Sequence, residues 1–229
     1  ARVSSACGKK VIFVMGNHEY YKSKIGYTKN VMAIFNRRKE YKDKIFILDD
    51  TGITLNHEGR SHLFVGGTLW SDFEIMKEPF IAKREAQRGM SDFHVIRNDD
   101  GSILSPDDAI KMHNNTLDEI GSLIVTHRAS HDTVNVVTHH APSWRSVAER
   151  YRNSFLTSAF SSAILDEGNV AYRTFTYYVN NWFHGHTHDS FEYEVEWDDD
   201  NKTAVHCNPK GYDHFEENPE FSTIKIVEI

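Results

Sequence analysis

The chain has 229 residues, of which 39% are hydrophobic, 12% aromatic and 26% charged, a composition that suits one globular domain and excludes collagen-like and disordered proteins. No apolar run approaches the roughly 18 residues that a membrane-spanning helix requires, so no membrane partner is expected. The net charge of −7 argues against a general nucleic-acid-binding surface, and nucleic acid is expected only as a substrate.

Hydrophobic periodicity divides the chain into short strands and helices. In chain order, the pattern predicts a strand at 9–15, a helix at 28–42, strands at 45–48 and 61–65, loops with short helices over 71–101, a helix from 105 to 129 and a strand at 133–138. The remainder is predicted as an irregular segment at 143–162, a strand at 177–184, a hairpin of 191–197 with 202–207, and a last strand at 221–229. This order predicts one α/β domain, residues 1–229, with a mixed sheet arrangement.

Three of the predicted strands run directly into polar turns that contain histidine. The turns are Gly16-Asn17-His18-Glu19, His139-His140-Ala141-Pro142 and His184-Gly185-His186-Thr187-His188. In open α/β sheets, ligands bind beyond the carboxyl ends of the strands. If the three strands are parallel neighbours, we expect the three turns to converge on one site.

The turn with two histidines gives the sharpest prediction. In an extended backbone, residues two apart point the same way, so His186 and His188 can reach one metal cluster together. Gly185 allows a bend and a close approach of the backbone that a side chain would resist. Neutral imidazole is a common ligand of Mn, Fe and Zn. The alternative is two exposed loop histidines, but a second strand that ends in His139 favours a metal site.

Asn17 and His18 add two further candidates in the first turn. The side-chain carbonyl of Asn17 is a suitable oxygen ligand for a metal ion, although asparagine is also a common turn residue. His18 would lie over the same site. A histidine there can donate a proton to a leaving group near neutral pH, which predicts a catalytic role, whereas the alternative is a structural histidine.

The motifs together resemble those of a known enzyme family. In order, Gly16-Asn17-His18-Glu19, Val137-Thr138-His139-His140 and Gly185-His186-Thr187-His188 resemble the last three motifs of the calcineurin-like metallophosphoesterases. The similarity spans residues 11–207. The longer stretches GNHEYY, GTLWSDF, THHAPS, HGHTHDSF and CNPKGY are similar to bacterial and phage members of that family.

This resemblance implies a fold of two mixed β-sheets flanked by helices, and a site for two divalent metal ions (Mn, Fe or Zn). It assigns Asn17, His139 and His186 to one metal ion and His188 to the other. A hydroxide shared by the two metal ions would attack the phosphorus of a phosphate ester. His18 would contact the phosphate or protonate the leaving group.

Three more residues near the motifs receive weaker roles. Glu19 is expected to support His18 rather than to bind metal. His140 either faces the substrate phosphate or packs beside the neighbouring ligand. Arg145 can pair with a phosphate as a bidentate fork, or it is a solvated arginine. The stretch 22–44, with eight basic residues against two acidic, gives a weak indication of a polyanionic substrate.

The sequence also departs from the family pattern. The family begins with D-x-H on its first strand and G-D after its second, and nothing before Gly16 matches either motif. Fifteen residues are too few for a strand–helix–strand unit, which needs about 30, so we expect Ala1 to be a cut. Asp92-Phe93-His94 reads D-x-H, but it follows no buried strand and is interpreted as a polar loop with one buried aromatic residue. Three neutral ligands without the bridging carboxylate should bind a metal ion more weakly.

Two functions therefore stand as hypotheses. The first is a metal-dependent phosphoester hydrolase, of which these 229 residues are most or all. The second is a non-catalytic interaction scaffold on the same fold, with an eroded metal site. The chain has only two cysteines, Cys7 and Cys207, which form no disulfide framework and predict a cytoplasmic protein.

Overall fold

The structure is a computed structural model that describes residues 8–229. Within this range, ten short strands form three sheets. The strands are β1 (Val11–Val14), β2 (Ile45–Leu48), β3 (Thr51–His57), β4 (Arg60–Gly67), β5 (Thr133–Thr138), β6 (Asn181–His184), β7 (Phe191–Glu196), β8 (Lys202–Cys207), β9 (Gly211–Tyr212) and β10 (Glu216–Glu217).

The main sheet has six strands in the order β3-β4-β5-β6-β8-β7. Its central strands β4, β5, β6 and β8 run parallel, while β3 and β7 are antiparallel to their neighbours at the two edges. Strands β1 and β2 pair in parallel as a second sheet, and β9 and β10 form a small antiparallel ladder. The predicted α/β fold with mixed strands and flanking helices is confirmed.

The helices of residues 8–229 cover the sheets. They are α1 (Ile25–Asn36), α2 (Pro79–Gly89), α3 (Asp92–Val95), α4 (Pro106–His127) and α5 (Arg173–Thr176), and short 3-10 turns join them to the strands. Helix α4 begins as its sequence predicts, because Ser105 Oγ accepts from the Asp108 backbone N–H and the Asp108 carboxylate accepts in return. None of these helices is both long enough and apolar enough to cross a bilayer.

Two predicted elements differ from the structure, and one strand of the structure was not predicted. The helix predicted at 28–42 is α1 in the structure, which begins at Ile25 and ends at Asn36. Strand β3 was not predicted, because as an edge strand it exposes most of its side chains and lacks a clear apolar alternation. The predicted last strand at 221–229 is wrong: the segment alternates, yet it pairs with no strand, and Ile224 and Ile226 are 76% and 85% exposed. Alternation alone supplies no hydrogen-bonding partner.

The apolar core between α4 and the main sheet holds the ends of β5 and β6 together. Trp182 of β6 is fully buried in it, and its Nε1–H donates to Thr138 Oγ1 at 2.9 Å. Thr138 Oγ1–H in turn donates to the backbone carbonyl of His140 at 2.9 Å. This chain of bonds fixes the backbone on both sides of His139, which follows Thr138.

We expect Trp182→Ala to lower the free energy of unfolding by about 3–5 kcal/mol, because it removes a large buried ring. Trp182→Phe should cost less, since it keeps an aromatic ring and loses only the Nε1 donor and part of the volume. Urea unfolding at an unchanged m-value measures both. The control Val170→Ala, at a side chain that is 71% exposed, should stay within about 0.5 kcal/mol of the parent protein. Equal losses for all three variants would contradict the assigned role of the ring.

Candidate active site

The three histidine-bearing turns meet at the ring of His139. Its Nε2 lies 3.0 Å from Asn17 Oδ1 and 3.0 Å from His186 Nδ1. Strands β5 and β6 are parallel neighbours, as expected. Strand β1 is not their neighbour, since it pairs with β2 in the other sheet. Two of the turns are therefore brought together by one sheet edge, and the third reaches them because the two sheets pack against each other.

Gly16 makes the approach of the first turn possible. A Cβ at Gly16 would lie 2.6 Å from His139 Cε1 and 2.9 Å from His139 Nε2. At Gly185, by contrast, a Cβ would meet His139 Nδ1 at 3.8 Å, which is ordinary contact. The sequence suggested that Gly185 allows the close approach of the backbone. In the structure it is Gly16 that must lack a side chain, because its backbone touches the His139 ring.

His186 and His188 do not lie in extended backbone. Both have left-handed φ angles, 67° and 54°, so the argument that alternation points them the same way is wrong. Left-handed backbone costs a non-glycine residue about 1–3 kcal/mol and tends to cluster at functional sites. The result separates the two rings: His186 Nδ1 faces His139, whereas His188 Nδ1 lies 3.1 Å from Glu216 Oε2.

Burial sets the charge state of the two histidines that face each other. It lowers the pKa of both His139 and His186 well below the ordinary value, and the neighbouring histidines, His140 first among them, lower it further. Both rings are therefore neutral near pH 7, which is the state that binds metal ions. His186 Nε2 is buried and has no hydrogen-bonding partner in the described part of the chain.

Two of the distances between donor atoms match those between ligands of one divalent cation. Adjacent ligand atoms that lie about 2.1 Å from a metal ion in octahedral geometry are about 3 Å apart, and Asn17 Oδ1 and His186 Nδ1 each lie 3.0 Å from His139 Nε2. A neutral imidazole has one N–H, so His139 Nε2 cannot satisfy both neighbours by donation. The set has no carboxylate, and residues 8–229 contain no group of three or more His, Cys, Asp or Glu side chains arranged for a metal ion.

Asp92 is a site residue that the sequence analysis did not assign. It is buried at the start of α3, where Oδ1 accepts from Asn17 Nδ2 at 2.7 Å and Oδ2 accepts from Tyr21 O–H at 3.1 Å. The carboxylate engages the amide nitrogen of Asn17 and so turns the amide oxygen towards His139. His94, the other half of the D-x-H reading, is exposed and lies 3.3 Å from a backbone carbonyl through its Nε2.

His18 lines the same cavity as Asn17 and His186, but its ring contacts two tyrosines. Its Nε2 is 2.7 Å from Tyr212 O–H, and its ring stacks on Tyr21 with centroids 4.3 Å apart. Glu19 does not support His18, since Glu19 Oε2 accepts from the backbone N–H of Gly16 at 2.7 Å. Glu19 thus holds the turn that presses against His139.

The structure does not bring the two expected phosphate contacts to the cavity. His140 is buried, its Nδ1–H donates to the Thr68 carbonyl at 3.1 Å, and burial lowers its pKa to about 4. This geometry matches the packing alternative. Arg145 donates to the Glu194 carbonyl at 2.6 Å and lies over the Tyr193 ring.

A cavity of about 370 Å³ opens beside Asn17, His186 and His188. Its size lies within the range of small-molecule binding sites. Asp92 and Glu216 contribute to its wall. Burial alone would raise the pKa of Glu216, but hydrogen bonds from Tyr151 and His188 outweigh it and hold that pKa below its ordinary value.

A sequence model of the family described as calcineurin-like phosphoesterase matches residues 2–190, which is most of the chain. The chain belongs to the calcineurin-like phosphoesterase family. The resemblance drawn from the three motifs is therefore confirmed. Phosphoesterases hydrolyse phosphate esters, so membership supports hydrolase chemistry of this general type.

Two individual proteins are similar to this phosphoesterase. The uncharacterized protein L509 of Acanthamoeba polyphaga mimivirus is 26% identical over 227 residues, which cover 90% of this chain and 69% of that protein. A solved structure whose name describes a 5'-nucleotidase from Staphylococcus aureus, in complex with α-ketoglutarate, is 13% identical with a TM-score of 0.43. That match covers 86% of this chain and about a third (32%) of the solved structure.

The contact at Gly16 gives a direct test of the site's geometry. Gly16→Ala should displace the His139 ring and lower the free energy of unfolding by about 1–3 kcal/mol, as overpacking does. Gly185→Ala is the matched control, because its Cβ would touch the same ring at ordinary distance. Urea unfolding measures the loss, and ¹⁵N NMR of the histidine rings follows His139. Equal effects of the two alanines on His139 would contradict the assignment.

Proposed function

We propose that the chain is the catalytic part of a metal-dependent phosphoester hydrolase. One observation supports this proposal most: Asn17 Oδ1 and His186 Nδ1 each lie 3.0 Å from His139 Nε2. These atoms would hold one Mn²⁺, Fe²⁺ or Zn²⁺ ion. His188 would hold a second ion, with Glu216 as its hydrogen-bonding partner. Such ions, when bound, supply an activated water-derived nucleophile and stabilise charge on the phosphoryl oxygens.

The chain's own residues would carry the rest of the reaction. His18 lines the cavity and contacts Tyr212 through Nε2, so it can pass a proton to the oxygen of the leaving group while Tyr212 orients its ring. Asp92 acts as a positioning residue, because it holds the Asn17 amide nitrogen and leaves the oxygen free for the metal ion. Asp92 also provides negative charge one hydrogen bond away from a neutral ligand set.

A second function, a non-catalytic interaction scaffold, is favoured by one observation. The ligand set within residues 8–229 is neutral and lacks a carboxylate that could join two metal ions. A scaffold would keep the fold and lose the tight metal site. Metal affinity and hydrolysis together separate these two functions.

The hydrolase proposal predicts metal-dependent activity of the natural full-length protein that contains these residues. With Mn²⁺, Fe²⁺ or Zn²⁺ added, we expect hydrolysis of 4-nitrophenyl phosphate or bis(4-nitrophenyl) phosphate, measured by nitrophenolate absorbance. Loss of a general acid typically costs about 10²–10⁴-fold in rate. We therefore expect His18→Ala to lower the rate of hydrolysis by about that factor. His186→Ala should lose hydrolysis to a similar or greater extent, because it removes a ligand.

His57→Ala is the matched histidine control, because the His57 side chain is 80% exposed. Its rate should equal that of the parent protein. A parent protein that hydrolyses neither compound with any of the three metals would support the scaffold instead. Activity unaffected by His186→Ala would contradict the ligand assignment.

The positioning role of Asp92 predicts a change in metal binding that does not depend on turnover. Loss of a residue that orients a ligand typically weakens metal binding about 10–100-fold, and we expect Asp92→Ala to do so for Mn²⁺ or Zn²⁺ in isothermal titration calorimetry. Tyr21→Phe removes the bond to the other carboxylate oxygen and keeps the bond to Asn17. It should therefore change the affinity little. An Asp92→Ala protein with parental affinity would refute the role.

A further inference from the structure

The cavity beside the proposed metal ligands includes several apolar side chains in its wall. Met90, Val147, Leu156 and Phe160 contribute to this wall, and Phe160 stacks on His186 with ring centroids 4.8 Å apart. A phosphoryl group bound at the proposed ligands would therefore have apolar side chains within the same cavity as its ester group. A volume of about 370 Å³ is sufficient for a ring-sized leaving group.

The charges around this cavity are acidic. Asp92 and Glu216 line it, and no lysine or arginine of residues 8–229 does so. The nearby Arg150 is already paired, since its two terminal nitrogens donate to the two carboxylate oxygens of Asp189 at 2.7 and 2.8 Å and one of them lies 3.8 Å from Glu216. A leaving group with its own negative charge would lose hydration in the cavity and meet Asp92 and Glu216 there, with no lysine or arginine among the described lining residues to pair with it.

The basic stretch 22–44 does not change this balance. None of its lysine or arginine side chains lines the cavity, and Lys29 is paired with Asp49 at 2.8 Å and with Asp50 at 3.6 Å. The weak sequence indication of a polyanionic substrate therefore finds no support at the cavity. The bound group would instead be neutral.

Aromatic planes flank the same space. The His18 ring lies between Tyr21 and Tyr212, with centroids 4.3 and 5.5 Å away and an interplanar angle of 27° to each. Phe160 stacks on His186 at 4.8 Å. Flat rings pack on such surfaces in offset-stacked or edge-on arrangements, which add to the gain from burial.

We propose, on the basis of the proposed function, that this cavity binds the leaving group of the substrate, and that the leaving group is an uncharged, ring-containing alcohol or phenol. Hydrolysis then breaks the bond between phosphorus and the ester oxygen, and an oxygen from water forms the new bond to phosphorus. The ester oxygen takes a proton and leaves as a neutral hydroxyl compound. The apolar wall and the acidic rim together exclude polyanionic substrates such as nucleic acid.

Three aryl phosphates of similar leaving-group acidity test the proposal on the natural full-length protein with Mn²⁺. Compared with phenyl phosphate, 2-naphthyl phosphate should have a kcat/KM about tenfold higher, because its second ring buries more apolar surface. By contrast, 4-carboxyphenyl phosphate should fall about tenfold below phenyl phosphate, because its carboxylate enters an acidic, apolar space. Phosphate release measured continuously gives all three values.

Leu156→Lys adds a cation to the apolar wall and should reverse the order of the naphthyl and carboxyphenyl esters. Equal kcat/KM values for the three esters in the parent protein would overturn the cavity assignment and leave the hydrolase proposal standing. Absence of hydrolysis for all three would overturn the hydrolase proposal and the cavity assignment with it. The parent series decides the question even if the lysine variant does not fold.

Discussion

The contact between the Gly16 backbone and the His139 ring is the constraint on which the rest of the site depends. It is one of the places where the sheet of β1 and β2 meets the six-stranded sheet, and it brings the turns that follow β1 and β5 within bonding distance. Glu19 holds the turn on one side through the Gly16 N–H, and Thr138 holds the backbone beside His139 on the other. Packing density leaves no space for a side chain between them, and a small change in either sheet would therefore move a ligand atom.

The sequence predicted the parts of this site that are local. An apolar strand followed by a polar turn predicted that Asn17, His139 and His186 lie together, and the structure brings the three side chains into contact. The positions that depend on tertiary contacts were not predictable: Asp92 is 75 residues from the amide that it holds, and Glu216 is 28 residues from His188. The strand at 221–229 failed for the same reason, since alternation describes one strand and not the edge that it needs.

The charged groups of the site lie behind the proposed ligand atoms and not among them. The atoms that face the proposed metal ion are neutral, while the carboxylates of Asp92 and Glu216 each lie one hydrogen bond behind a proposed ligand residue. Such an arrangement orients each ligand and raises its basicity without occupying a coordination position. The left-handed backbone at His186 and His188 has a cost, and it makes this division possible because it turns one ring to His139 and the other to Glu216.

The position of these carboxylates behind the proposed ligands also explains why the cavity wall is acidic. Because the carboxylates stand behind the ligands, they also form part of the cavity wall, and a cation placed nearby would pair with them instead of with a substrate. Arg150 is such a cation: one of its terminal nitrogens lies 3.8 Å from Glu216, and both donate to Asp189, which does not line the cavity. With its nearest guanidinium already paired, the cavity offers a leaving group apolar surface and ring stacking, and no lysine or arginine of the described residues lines its wall. The selectivity proposed for the leaving group is thus a consequence of how the ligands are held, and both features depend on the same two carboxylates.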